Sequence, residues 1–204
     1  MILSFIYDMD YFFASLFHRL EVNAGSFFTP FFKIVTTLGN MGFIFMITAL
    51  IMLLFKKSRK IGFTIIFSLI WGLIICNLLL KNIVARPRPF MNEESPFYNW
   101  WLVSSLNESG YSFPSGHTTA AMSFGFLLFI YLKKQYSWLF LIIPVIMGVT
   151  RIYFMVHYFT DVLGGMLVGV GCAFLGIALF RLLVKIPLFN KIYNLPDIIE
   201  LLKK

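Results

Sequence analysis

Three short segments of this sequence contain residues whose types and spacing suit phosphate chemistry. They are Lys81 with Arg86-Pro87-Arg88-Pro89, then Pro114-Ser115-Gly116-His117, and finally Arg151 with His157 and Asp161. Each segment lies at the end of a long apolar run, where ionisable side chains are costly unless they pair or face a polar cavity. Their positions therefore make them candidates for one functional site.

The cationic side chains predict a ligand that is an anion with several oxygens. The guanidinium groups of Arg88 and Arg151 match phosphate geometry, and Lys81 adds a point charge. The Pro-Ser-Gly-His segment opens an apolar run, so the free N–H groups and positive end of a helix would add an anion site. There Ser115 would donate its hydroxyl, and Gly116 would let a phosphoryl group approach the backbone.

Two histidines supply the groups that phosphoryl transfer requires. With an ordinary pKa of about 6.5, one imidazole can attack phosphorus while the other protonates the leaving oxygen. Asp161 follows His157 by four residues. A carboxylate there would accept the proton of one imidazole nitrogen and leave the other nitrogen free to attack.

Together the three segments resemble the signature motifs of the type 2 phosphatidic acid phosphatase (PAP2) family. The matching patterns are Lys81-x6-Arg88-Pro89, Pro114-Ser115-Gly116-His117 and Arg151-x5-His157-x3-Asp161, in the family's order and spacing. One departure is Thr150, because the third motif commonly begins with serine, and threonine retains the hydroxyl.

The resemblance implies a helical core shared with vanadium haloperoxidases, a lipid phosphatase without metal or cofactor, and a phosphohistidine intermediate. It implies that His157 is the nucleophile, His117 the general acid and Asp161 the partner of His157. The phosphate ligands that it implies are Lys81, Arg88, Ser115, Gly116 and Arg151.

The composition predicts a membrane protein that positions these residues at helix ends. Hydrophobic residues make up 59% of the 204 residues and charged residues 13%, whereas about a quarter of an ordinary soluble domain is charged. Runs without charge are long enough to cross about 30 Å of hydrocarbon. We predict an all-α transmembrane bundle of five to six spans in a single domain, residues 1–204. The predicted spans cover residues 34–55, 61–80, 115–132, 138–156 and 162–180.

The remaining segments have polar or amphipathic patterns. Residues 1–25 predict an amphipathic helix at the membrane interface, although an additional span within residues 1–33 stays open. Residues 81–114 predict an outer loop, and residues 186–204 a cytoplasmic tail. The glycine-rich stretch of the last span predicts close helix packing.

The distribution of basic residues predicts the orientation. Lysines and arginines cluster in short connections and in the tail, which the positive-inside rule assigns to the cytoplasm. They are Lys56, Lys57, Arg59, Lys60, Lys133, Lys134, Arg181, Lys185, Lys191, Lys203 and Lys204. The three motif segments then face outward. Topology also explains the net charge of +8, so we expect no nucleic-acid partner.

Several alternatives remain open from the sequence. The candidate substrates are undecaprenyl pyrophosphate, phosphatidylglycerophosphate, phosphatidate and related lipids. A site on the outer membrane face favours a bacterial polyprenyl pyrophosphate. A catalytically silent lipid-phosphate binder and a small membrane transporter are the rival functions, although the spans have few polar residues besides Asn77. A haloperoxidase is disfavoured because those proteins are generally soluble.

Arg86 lies off the motif and is equally well explained as a side chain that reaches the lipid headgroups. Oligomeric state is unknown.

Overall fold

The computed structural model of the protein describes residues 2–104, 106, 108–132 and 134–198. These residues form helices and connecting segments without a β-strand, which confirms the predicted all-α class. The α-helices are α1 Ile2–Leu38, α2 Phe43–Leu53, α3 Lys56–Gly72, α4 Lys81–Val84, α5 Pro96–Ser104, α6 Gly116–Leu132, α7 Ile142–Tyr153, α8 Phe159–Leu183 and α9 Pro187–Tyr193. Lys133, Lys203 and Lys204, predicted to be cytoplasmic, lie outside the described residues, as does the end of the predicted tail, 199–204.

Two helical segments among the described residues are long and apolar enough to cross a membrane, namely residues 56–91 and α8. The pair α1 and α2 makes a third candidate, with a bend of 52° between its members. Two apolar helices are shorter, α6 and the segment Ser137–Tyr153. These helices agree with a membrane bundle. The predicted number of spans, five to six, stays a prediction.

The first predicted span, residues 34–55, is divided in the structure. Its beginning belongs to the end of α1, and its remainder forms α2 after a 3₁₀ turn, Asn40–Gly42. Gly42 has a left-handed backbone (φ 70°), which glycine adopts without steric cost. Within α1 the backbone departs from helical geometry at Ala24.

The helix that carries the first motif is continuous but irregular. From α3 it passes through a π-helical stretch, Leu73–Leu80, into α4. It ends at Ala85, whose backbone is left-handed (φ 49°). Lys81 is therefore helical, whereas Arg88 lies in the extended chain beyond the helix end. The segment predicted as a loop, 81–114, thus begins with α4 and also contains α5.

Helix α8 packs against both α3 and α6, and its glycines allow the close approach. A Cβ atom on Gly169 would lie 2.7 Å from the carbonyl oxygen of Thr119, and one on Gly176 would lie 2.7 Å from that of Thr64. Close packing through glycine is confirmed at these positions, whereas Gly171 faces open space. Buried apolar side chains fill the centre of the bundle, among them Phe45, Ile65, Ala121, Leu127, Met147 and Ala173.

Backbone hydrogen bonds join the three motif segments at one end of these helices. The N–H of Ser112 donates to the carbonyl of Arg86 at 2.8 Å, which ties the second segment to the first. The N–H of Ser115 donates to the carbonyl of Asp161 at 3.0 Å, which ties it to the third. Segments separated by up to 75 residues in sequence therefore meet in one place.

Candidate active site

A cavity of about 260 Å³ opens where the motif segments meet. Its polar walls come from both helix ends and loops, and they include Asn40, Asn77, Lys81, Arg88, Glu108, Ser109, His117 and His157. Apolar side chains continue the lining, including Met46, Leu69, Leu73 and Ala120. One cavity therefore combines cationic groups, two imidazoles and an apolar wall.

His157 and Asp161 lie on either side of the start of α8. His157 stands in the connection from α7, and Asp161 lies in the first turn of α8, where its Oδ2 accepts the N–H of Tyr158 at 2.9 Å. The same oxygen accepts the hydroxyl of Ser112 and lies 3.5 Å from Nδ1 of His157. A proton on Nδ1 is thus directed to the carboxylate, which leaves Nε2 unprotonated.

The surroundings of His157 keep its imidazole neutral. Burial lowers the pKa of His157 to about 4, although the hydrogen bond and negative charge of Asp161 act to raise it. The positive charges of Arg151 and Arg88 lower this pKa further. At neutral pH the ring is therefore in the form that has a nucleophilic nitrogen.

Arg88 lies beside this unprotonated nitrogen, Nε2 of His157. Its Nη1 is 3.4 Å from Nε2 of His157 and donates to the carbonyl of Val156 at 2.8 Å. Further carbonyls fix the guanidinium, since Nε donates to Gly110 at 2.9 Å and Nη2 to Ser109 at 2.8 Å. A buried cation is thereby held rigidly next to the candidate nucleophile.

Arg151 is buried and contacts Glu108, an acid outside the three motifs. Its guanidinium donates to the carboxylate of Glu108 and to the hydroxyl of Thr36. The other oxygen of Glu108 lies 3.6 Å from Arg88. Burial acts to raise the pKa of Glu108, but Arg151 and Arg88 outweigh it, so this pKa lies below its ordinary value. An internal anion therefore joins the two arginines predicted to bind phosphate.

The other predicted site residues are distributed in two layers. Lys81, Gly116 and His117 line the cavity itself. Ser115 is fully buried outside that lining, and its hydroxyl lies 2.9 Å from that of Thr118, where it caps the start of α6. Arg151 and Asp161 also lie behind the lining residues. Arg151 contacts Glu108, and Asp161 contacts His157, and both of these partners line the cavity.

Three residues outside the predicted set extend this site, namely Arg86, Asp10 and Glu108. Arg86 forms ion pairs with Asp161 and with Asp10 of α1, both at 2.6 Å. In the structure its guanidinium therefore pairs with protein carboxylates instead of lipid headgroups. No spacing in the sequence connects Arg86 with Asp10. Nothing in the sequence distinguishes Glu108 from Glu93 and Glu94, the other two acids of segment 81–114.

A comparison with family models identifies the fold that carries this site. Residues 61–185 match the model of the PAP2 superfamily, and this range contains all three motif segments. The chain belongs to the PAP2 superfamily. The resemblance inferred from the motifs is thereby confirmed.

Several curated PAP2 relatives are similar over much of the chain. The undecaprenyl-diphosphatase of Sulfolobus acidocaldarius is 33% identical over 64% of this chain and 60% of its own length. The phosphatidylglycerophosphatase B of Bacillus subtilis is 30% identical over 69% of this chain and 70% of its own. The bacitracin transport permease protein BcrC of Bacillus licheniformis is 28% identical over 76% of this chain and 77% of its own length. The match thus covers less than two thirds of the length of the Sulfolobus acidocaldarius relative. No solved structure matches significantly.

Proposed function

We propose that this PAP2 protein is a membrane lipid phosphatase that acts on a lipid phosphate or pyrophosphate through a phosphohistidine on His157. One observation carries the proposal: Nε2 of His157 lies 3.4 Å from Nη1 of Arg88, in a cavity also lined by Lys81 and His117. An anion bound by the cations would meet the nucleophile and the acid together. Positioning and charge stabilisation of this kind account for most of the catalysis of phosphoryl transfer.

In the first step, Lys81, Arg88 and the first N–H groups of α6 bind the phosphoryl oxygens. The Nε2 lone pair of His157 forms a bond to phosphorus while the bond from phosphorus to the leaving oxygen breaks. His117 gives its proton to that oxygen. Asp161 stabilises the positive charge that develops on the imidazole of His157, as a carboxylate partner does for a catalytic histidine.

In the second step, water attacks the phosphohistidine. The neutral His117 now accepts a proton from the water, the oxygen forms a bond to phosphorus, and the bond between Nε2 and phosphorus breaks. Phosphate leaves, and His117 is again protonated. Cationic side chains supply the charge stabilisation throughout, so the proposed reaction requires no metal or other cofactor.

The lipid nature of the substrate is supported by the apolar part of the cavity wall, with Met46, Leu69 and Leu73. Relatives named for undecaprenyl diphosphate and phosphatidylglycerophosphate support two of the candidate headgroups. We favour a polyprenyl pyrophosphate. Phosphate release from these two lipids and phosphatidate, with EDTA present, would rank them by kcat/KM.

The decisive test of the nucleophile is His157→Ala, assayed as purified protein in chelator. We expect phosphate release to fall by at least about 10³-fold, because the covalent route is lost. His18→Ala is the matched control, since His18 is absent from the cavity lining and lies against Glu21 and Trp100. Wild-type turnover by His157→Ala would rule out the proposed intermediate.

The role of His117 is tested by the leaving group. We expect His117→Ala to lose activity strongly on an alkyl phosphate and much less on an aryl phosphate, because a good leaving group departs without a proton. Equal losses on both substrates would show that His117 is not the acid.

Transport is the second candidate function, because the Bacillus licheniformis relative is named a transport permease protein. Vesicles containing the purified protein distinguish the two. A phosphatase releases phosphate from a lipid without carrying anions across, whereas anion flux without phosphate release would favour the transporter.

A further inference from the structure

We propose that Arg86 and Asp10 are positioning residues of this active site: Asp10 fixes Arg86, and Arg86 fixes the carboxylate of Asp161 behind His157. The inference rests on the proposed function, in which Asp161 orients His157. It makes α1, which contains none of the three motifs, a contributor to the site.

The guanidinium of Arg86 bridges two buried carboxylates. Nη1 donates to Oδ1 of Asp161 at 2.6 Å, and Nη2 donates to Oδ2 of Asp10 at 2.6 Å. The side chain of Asp10 is 1% exposed and that of Asp161 0%. Charge-assisted hydrogen bonds between buried partners are the strong ones, and removal of one partner leaves a buried charge unpaired.

The two oxygens of Asp161 have separate partners. Oδ1 accepts from Arg86, while Oδ2 accepts from Ser112 and the N–H of Tyr158 and lies 3.5 Å from His157. This division fixes the rotation of the carboxylate. Loss of the bond to Oδ1 would free Asp161 to turn, and Nδ1 of His157 would then lose its oriented acceptor.

Asp10 in turn connects α1 to the start of α8. Its Oδ1 accepts the N–H of Thr160 at 2.9 Å, and both of its oxygens lie 3.0 Å from the hydroxyl of Thr160. That hydroxyl also accepts from Arg86 at 2.8 Å. A carboxylate is favourable at a helix N-terminus, so Asp10 caps the helix that presents Asp161.

Arg86 acts through Asp161 and does not line the cavity. The cavity lining includes Arg88 but not Arg86, and the guanidinium of Arg86 lies 3.9 Å from the ring centre of Tyr158. Substitution of Arg86 should therefore change the chemical step and leave substrate binding nearly unchanged. Substitution of Arg88, a proposed phosphate ligand, should change KM as well.

The test compares kcat and KM for Arg86→Gln, Arg86→Lys and Asp10→Asn. We expect kcat of Arg86→Gln to fall about 10- to 100-fold, the size typical of an outer partner of a functional histidine, with KM within about twofold. Arg86→Lys should recover part of kcat because the positive charge returns. Asp10→Asn should also lower kcat, whereas Asp8→Asn, an exposed acid on the same helix, should not.

A double-mutant cycle separates positioning from general stability. When Asp161→Asn is already present, adding Arg86→Gln should change kcat by no more than about twofold, because the residue it positions is gone. If Arg86→Gln lowered kcat by the same factor in the wild type and in Asp161→Asn, the inference would be overturned. A wild-type kcat in Arg86→Gln would also overturn it. If Arg86→Gln does not fold, Asp10→Asn on its own and with Asp161→Asn gives the same comparison. Absence of phosphate release by the wild type would instead refute the proposed function.

Discussion

At the scale of single residues, the environment of His157 gives a titration that can be measured. Burial lowers the pKa of His157 to about 4, so the imidazole should stay neutral from pH 8 down to about pH 5. Asp161→Asn removes the hydrogen bond and the charge that favour the protonated ring, and it should lower this pKa further. NMR titration of the histidine ring signals measures both values.

Assignment of that titration requires the other two histidines to be removed. His18→Gln and His117→Gln identify the signal of His157 by elimination, and the protein should be free of phosphate. A midpoint near 6.5 for His157, or a rise in Asp161→Asn, would contradict the proposed arrangement.

Glu108 is a carboxylate inside the proposed phosphate site. Its carboxylate contacts Arg151 and lies 3.6 Å from Arg88, so a phosphate that binds to Arg88 as proposed would compete with it for this cation. We expect Glu108→Gln to strengthen competitive inhibition by inorganic phosphate about tenfold, which corresponds to about 1.4 kcal/mol. Steady-state inhibition measures this. Glu93→Gln, an exposed acid of the same segment, is the control, and weaker inhibition in Glu108→Gln would show that the carboxylate supports phosphate binding.

At the scale of elements, Arg59 attaches the C-terminal segment to the start of α3. Its Nε donates to the carbonyl of Leu53 at 2.8 Å, and its Nη1 to that of Tyr193 at 2.9 Å. The positive-inside rule counted Arg59 only as a charge, but the side chain is buried. Arg59→Gln should destabilise the protein by about 2 kcal/mol, the loss expected for hydrogen bonds from a charged group.

The measurement is thermal unfolding in detergent, with kcat determined in parallel. A loss of that size should lower the midpoint by about 5 °C, and kcat should be unchanged because the active-site cavity does not include Arg59. Lys57→Gln changes an exposed charge two residues away and should leave the midpoint as it is. If both variants unfold like the wild type, the tail is not held by Arg59.

At the scale of the whole molecule, the orientation predicted from the basic residues would place the proposed site outside the cell and the C-terminus in the cytoplasm. A Glu93→Cys protein should then react with a membrane-impermeant maleimide in intact cells, whereas Lys57→Cys should react only after permeabilisation. Both positions are exposed in the structure, and the native Cys76 and Cys172 are buried. Cys76→Ser with Cys172→Ala provides the background, and reversed labelling would invert the proposed topology.

The sequence by itself determined the class of protein and four of the five ionisable residues among those that line the cavity. Long apolar runs are visible in composition because a helix must cover the hydrocarbon thickness. The motif residues Lys81, Arg88 and His117 are found by type and spacing, and the structure brings them to one cavity with His157. Even here the end of α1 was missed. The helix kinks at Ala24 and continues to Leu38, into the first predicted span, residues 34–55. Apolar character alone does not mark where one helix ends and the next begins.

Only the tertiary structure decided how the charges pair. Arg86 lies 76 positions from Asp10 and 75 from Asp161, and Arg151 lies 43 from Glu108. An ion pair depends on distances of a few ångströms between side chains, and no local pattern encodes which distant carboxylate arrives there. Packing of α1 and α8 sets the distances of the two Arg86 pairs, since Asp10 lies in α1 and Asp161 in α8. The motifs therefore identify the chemistry, while the folded bundle selects the carboxylates that pair with Arg86 and Arg151.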